Sequence, residues 1–181
     1  MNRLAPLLRQ LARICVAACA LFVLSACAHT TMVALVRHAE PAATPAANPP
    51  LSPAGVQRAQ ALVEVVRQSG LSAVFHTQFA RTTQTATIVA SALGVPTVQI
   101  DVTAGQEQQH ADAVRARILD DFSGRNVLVV GHSNTIDRVA TALGVGNAPT
   151  IGQQDFGNLL IVVRRGGSTT TVRLVHGRYG P

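Results

Sequence analysis

The chain contains no lysine and no tryptophan, and all 15 of its basic residues are arginine. Chemistry that depends on a lysine amine, whether a Schiff base or a P-loop, is therefore excluded. Aromatic residues are only 3% of the 181 positions, with one tyrosine and five phenylalanines. Basic residues cannot interleave with base-stacking rings at that density, so no nucleic-acid partner is expected. The formal net charge of +6 does not change this, because Arg3, Arg9 and Arg13 lie in a first stretch of 26 residues that holds no acid. Beyond it, 12 arginines face 9 acids, a modest net of +3. Cysteine is scarce too: Cys15 and Cys19 lie inside an early apolar run, leaving Cys27 alone outside it. If that run is removed, no intrachain disulfide can form. No His/Cys/Asp group has metal-ligand spacing, and no metal is expected. The longest apolar run, Ile14 to Leu24, stops after 11 residues, well short of the ~20 a membrane-spanning helix needs. What remains is 48% hydrophobic residues in a length that suits one ordinary domain.

Residues 1–26 have the layout of a secretory signal, with arginines first, a short apolar core next and small residues at the end. The run closes on Leu24-Ser25-Ala26-Cys27, which resembles the bacterial lipobox. That resemblance implies cleavage before Cys27, a diacylglycerol thioether on its sulfur and acylation of the new amino terminus. Several acyl chains anchor durably where one is marginal. Residues 27–31 would then be a lipidated linker and residues 32–181 the folded domain. The expected location is the cell envelope, facing the periplasm, and Ala28 in place of Asp favours the outer membrane by the same resemblance.

From Met32 onward, short apolar runs alternate with helical periodicity. Met32–Val36, Ala73–His76, Val98–Val102 and Val127–Val130 read as buried strands. The stretch from Glu40 to Pro50 is a loop, since Pro41, Pro45, Pro49 and Pro50 break any ladder. Ser52 suits a helix cap, Pro53 the first helical position, and Leu51 can staple onto Val56. Val56, Ala59, Leu62, Val63 and Val66 continue that helix towards Gly70. Further helices are expected over Phe79–Leu93, closed by Gly94, around Val114, Ile118 and Leu119, and from Ile136 to Leu143. Leu159–Arg164 and Thr169–Val175 flank Gly166-Gly167 as a hairpin. The alternation predicts a three-layer, doubly wound α/β fold: a mostly parallel sheet, helices on both faces and a C-terminal hairpin.

Such sheets bind ligands beyond the carboxyl ends of their strands. Arg37 and His38 directly follow the first strand, Arg81 opens the helix after the second, and Gly131 and His132 follow the fourth. Two arginine forks can hold a phosphoryl group from different sides. A neutral histidine is a competent nucleophile, and a second, protonated one can steady the developing charge. Ser133-Asn134-Thr135 opens the fourth helix, whose backbone N–H groups can face an anion.

Leu35-Val36-Arg37-His38-Ala39-Glu40 resembles the Arg-His-Gly signature of the histidine phosphatase superfamily, which includes the phosphoglycerate mutases. Leu51-Ser52-Pro53-Ala54-Gly55, His76 to Ala86, and Val130-Gly131-His132-Ser133-Asn134 resemble three further segments of that family, in the same order. The resemblance implies that His38 becomes phosphohistidine, that Arg37 and Arg81 clamp the phosphoryl oxygens, and that His132 stabilises the transition state; Ser133, at the helix start, is a further phosphate-binding candidate. It implies no metal or other cofactor. The family's usual phosphate-contacting Asn has no clear counterpart, although Asn48 is nearby. Many members carry a proton-donating acid after the third strand; Glu107 is the best match by position, with His110 and Asp112 behind it.

The function expected is a metal-independent phosphomonoesterase, anchored by lipid in a bacterial envelope and acting on a small phosphorylated substrate. The alternative is a non-catalytic phosphate-binding or envelope-interaction module of the same fold.

Overall fold

The computed structural model describes residues 29–166 and 171–180. The expected signal segment, Cys27 and the Gly167 half of the expected hairpin turn lie outside the described residues.

Continuous apolar sequence makes the two central strands. Thr30–Arg37 (β1) and Asn126–Gly131 (β4) pair in parallel, running from Met32 opposite Asn126 to Arg37 opposite Gly131. Their side chains alternate between two cores. Val33 and Leu35 of β1 join Val127 and Val129 of β4 on one face, while Ala34 and Val36 join Leu128 and Val130 on the other. Every second residue is apolar on both faces, so both faces must be covered.

The first face receives Glu107–Asp121 (α3) through Ala111, Val114 and Ile118, and Ile136–Ala142 (α4) through Ile136, Val139 and Ala140. The second face receives Pro53–Val66 (α1) through Leu62, Val63 and Val66, and Ala80–Leu93 (α2) through Ala86, Val89 and Ala90. Leu71–His76 (β2), Thr97–Gln99 (β3), Asn158–Arg165 (β5) and Thr171–Arg178 (β6) complete a sheet of order β3-β2-β4-β1-β5-β6. β1 to β4 run parallel; β5 is antiparallel to β1, and β6 to β5. The three layers, the mostly parallel sheet and the C-terminal hairpin are as expected.

Four local expectations differ. Val56 is 37% exposed and lies off the buried stripe of α1, which starts at Gly55 instead. The Glu40 carbonyl oxygen lies 2.2 Å from where a Cβ on Gly55 would stand, so only glycine fits there. Ser52 caps the helix as expected, accepting from the Gly55 N–H at 3.1 Å. The third strand is shorter than Val98–Val102, because Gln78 clasps Val102 away from the sheet. The Gln78 amide accepts from the Val102 N–H at 3.0 Å and donates to its carbonyl at 2.8 Å. The helix expected around Val114, Ile118 and Leu119 starts earlier, so that Glu107 to Asp112 form the first part of α3. Ser133 to Thr135 form a turn ahead of α4 rather than its first residues, and the Thr135 and Ile136 N–H groups both donate to the His132 carbonyl.

Candidate active site

Register brings the two histidines together. Arg37 and Gly131 lie opposite each other at the ends of β1 and β4, so His38 and His132 emerge side by side with ring centres 5.3 Å apart. The His38 N–H donates to the Gly131 carbonyl at 2.9 Å, extending the pairing one residue past the strand. Arg81 arrives from the first turn of α2 and reaches both rings. Its Nε lies 3.2 Å from His38 Nε2, and its Nη2 lies 3.5 Å from His132 Nδ1.

These contacts assign the protons. His38 Nδ1 faces the Ala39 carbonyl at 2.8 Å. A carbonyl only accepts, so Nδ1 carries the proton and Nε2 keeps its lone pair, which Arg81 Nε–H meets. Burial pushes the His38 pKa down to about 3, with Arg37 and Arg81 acting in the same direction and the bond to Ala39 against them. The ring is therefore neutral at pH 7. The His132 pKa is also pushed down to about 3, first by burial and then by the neighbouring His38, Arg81, His110 and Arg37.

Arg37, His38 and His132 are only 8%, 3% and 7% exposed. Arg37 donates through Nη1 to the Gly152 carbonyl at 3.0 Å and lies 4.1 Å over the Phe156 ring. Its buried Nε has no partner among the described residues. Burial and the nearby Arg81 both work against the charge on Arg37, partly offset by Asp155 and Glu40. Arg81 is stacked on Phe79 at 4.7 Å. Two stacked guanidiniums near each other, one with an unpartnered Nε–H, form a site for an anion with several oxygens.

That site lies in a cavity of about 460 Å³, lined by Arg37, His38, Arg81, Glu107, His132 and Ser133, among others. All six residues assigned to the site from sequence thus share one pocket. Their alternates do not line it. His110 is buried and bonded to the Asp101 carbonyl at 3.1 Å, and Asp112 accepts from Gln108 on the surface. Asn48 accepts from the Ala80 N–H at 2.9 Å and so supports the helix start that carries Arg81.

Glu107 sits at the mouth. Its Oε1 accepts from the Gly105 N–H and from Asn134 Nδ2, each at 3.2 Å. Backbone N–H groups, its own and that of Gly105, hold its carboxyl below the usual range, with Arg138 and Asn134 adding to them. This is an ionised carboxylate at neutral pH, not a stored proton.

The structure adds residues that the sequence did not single out. Phe79 and Phe156 flank the two histidines, with Phe79 edge-on to His132 at 5.3 Å and Phe156 tilted to His38 at 5.9 Å. Thr77, directly after β2, meets His132 Nε2 at 2.9 Å. The position of Thr77 after a strand end, like that of His38 and His132, was the one signal that could have found it.

Residues 33–105 match the family model of the histidine phosphatase superfamily, branch 1. No curated protein sequence matches the chain significantly. Among solved structures, a protein assigned as phosphohistidine phosphatase SixA from Nakamurella multipartitia is similar at 21% identity, with a TM-score of 0.62 over 85% of this chain and 99% of that one. A protein histidine phosphatase SixA complexed with tungstate is similar at 17% identity, with a TM-score of 0.64 over 81% of this chain and 96% of the other. A mycobacterial glucosyl-3-phosphoglycerate phosphatase is similar at 15% identity, with a TM-score of 0.63 over 84% and 100%. At these identities the likeness establishes the fold alone. The chain therefore has the fold of the histidine phosphatases, and its residues 33–105 carry the sequence pattern of branch 1 of that superfamily.

Proposed function

We propose that the protein is a histidine-type phosphomonoesterase that works through a phosphohistidine on His38. The observation that carries this reading is the unprotonated Nε2 of His38, which accepts from Arg81 in the pocket while Nδ1 is tied to the Ala39 carbonyl. Arg37 and Arg81 hold the phosphoryl oxygens. His38 Nε2 attacks phosphorus; the P–N bond forms as the P–O bond to the leaving group breaks, and the departing oxygen keeps the electron pair. Water then attacks the phosphohistidine, so that a P–O bond forms, the P–N bond breaks and inorganic phosphate departs. Hydrolysis of p-nitrophenyl phosphate by the full chain tests the activity, and its complete absence counts against it.

Glu107 acts in this scheme as the group that exchanges a proton with the leaving oxygen or the attacking water. As an ionised carboxylate it must take up a proton before it can give one to a leaving oxygen, which suits the site best to leaving groups that depart without one. We expect Glu107→Gln to change the rate on p-nitrophenyl phosphate little and to slow an alkyl phosphate by ~10-fold or more, towards the ~10²–10⁴ typical of a general acid. Paired rate measurements check this, and equal small losses on both substrates remove Glu107 from the chemistry. The same observation is what favours the alternative of a non-catalytic phosphate-binding module; covalent labelling of His38 separates the two.

The envelope anchor belongs to the same proposal. Its support is Leu24-Ser25-Ala26-Cys27 behind a basic start. In addition, β1 begins at Thr30, at the end of the sheet opposite the pocket, so a tether there leaves the pocket mouth open. Cys27→Ser is expected to abolish partitioning into the detergent phase and to leave the precursor unprocessed. Unchanged mass and membrane association in that variant would rule the anchor out.

A further inference from the structure

We propose that Thr77, backed by Thr82, is a positioning residue that fixes the tautomer of His132 and so decides which of its nitrogens meets the phosphoryl group. The inference rests on the phosphatase reading and on a chain of hydrogen bonds whose direction is set at both ends.

At the far end, Thr82 Oγ1 lies 2.8 Å from the Phe79 carbonyl and 3.1 Å from the Thr77 carbonyl. Carbonyls only accept, so the single hydroxyl proton of Thr82 is committed to them. Thr82 Oγ1 must therefore accept from Thr77 Oγ1, 2.8 Å away. With its own proton given to Thr82, Thr77 can only accept from His132 Nε2 at 2.9 Å. The proton of the neutral His132 ring is thus on Nε2. The near end agrees independently: Nδ1 faces Arg81 Nη2 at 3.5 Å, and a guanidinium is donor-only. Thr77 and Thr82 are 1% and 0% exposed, so no water replaces either partner cheaply.

The consequence is chemical. When a phosphoryl dianion enters between Arg37 and Arg81, its charge favours a proton on His132. Nε2 already holds one, directed away at Thr77, so the incoming proton goes to Nδ1, the nitrogen beside Arg81. His132 then donates from Nδ1 to a phosphoryl oxygen as charge builds in the transition state. Without an acceptor at position 77 the neutral ring has no reason to keep its proton on Nε2. Taking up the second proton then leaves a buried Nε2–H with no acceptor at position 77, so the charged ring that the transition state needs is disfavoured.

The test uses the full chain, labelled with ¹⁵N-histidine, in mild detergent. Long-range ¹H–¹⁵N correlation reads each ring's tautomer, and His132 is identified among the six histidines by its loss in His132→Gln. Wild type is expected to show His132 protonated at Nε2, and Thr77→Val to show a mixture or the Nδ1 form. On p-nitrophenyl phosphate, Thr77→Val should lower kcat on the order of 10- to 100-fold with KM held within about threefold. Thr77→Ser, which restores the acceptor, should restore both the tautomer and kcat, and Thr82→Val should give an intermediate loss. An Nδ1-protonated His132 in wild type, an unchanged tautomer in Thr77→Val, or a Ser variant as slow as the Val variant overturns the proposal. The spectroscopic arm does not need turnover, so an inactive wild type contradicts the phosphatase reading and leaves the tautomer assignment standing or falling by itself.

Discussion

His38→Ala is expected to reduce phosphatase turnover by at least ~10³-fold, because no other group in the pocket can take over as nucleophile. His132 is the nearest imidazole, but its ring is oriented by Thr77 and Phe79 and its centre is 5.3 Å from that of His38. Removing His38 also deprives Arg81 Nε of the nitrogen it meets at 3.2 Å, so the variant should still bind anions through the clamp. The expected signature is therefore lost kcat with retained inhibition-type binding of inorganic phosphate. Steady-state rates together with phosphate titration check it. Near-native turnover by the alanine variant with any good substrate contradicts the mechanism.

Arg81→Ala should be nearly as damaging, for a different reason. Arg81 touches both histidines, and it is held in place by stacking on Phe79. Its loss removes half of the phosphoryl clamp and the donors that meet the lone pairs of His38 Nε2 and His132 Nδ1. Loss of one preorganised donor at a developing oxyanion typically costs ~10²–10³-fold, and we expect kcat/KM to fall by about that factor. Arg37 offsets part of the loss in ground-state binding, since it keeps its place between the Gly152 carbonyl and Phe156. Arg81→Lys should not rescue, because an ammonium is a point charge that cannot reach both rings at once. Kinetics of the two variants side by side measure this. If the lysine enzyme matches wild type, bidentate geometry is not what Arg81 contributes.

The parts of the fold legible in the sequence share one property: local pattern and tertiary role coincide. Val-Leu-Val-Val at 127–130 is apolar at every position because both sheet faces are covered there, and no reading other than a buried strand fits it. Arg37, His38 and His132 were recognisable because each ends or directly follows such a strand. Illegible parts were decided by contacts between distant segments. The end of β3 depends on Gln78, 24 residues away, taking both backbone groups of Val102. The first part of α3 was hidden because its buried side consists of His110 and Ala111, which do not register as an apolar stripe. Phe156 comes from a stretch between α4 and β5 with no periodicity, and its role appears only when Arg37 lies across its ring. The direction of the Thr82–Thr77–His132 chain needs two carbonyls from the turn before α2, and no pattern of residue types encodes that.

The most direct test of the central claim is to trap the covalent intermediate. The full chain is mixed with a radiolabelled aryl phosphate, quenched in alkali within the first turnover and mapped by mass spectrometry, with an acid-quenched sample in parallel. The account predicts a phosphoryl group on His38 that survives alkali and is lost in acid, is absent from His38→Ala, and forms and decays fast enough to carry turnover. Turnover with no label, or an acid-stable label on a serine or threonine of the pocket, would contradict it.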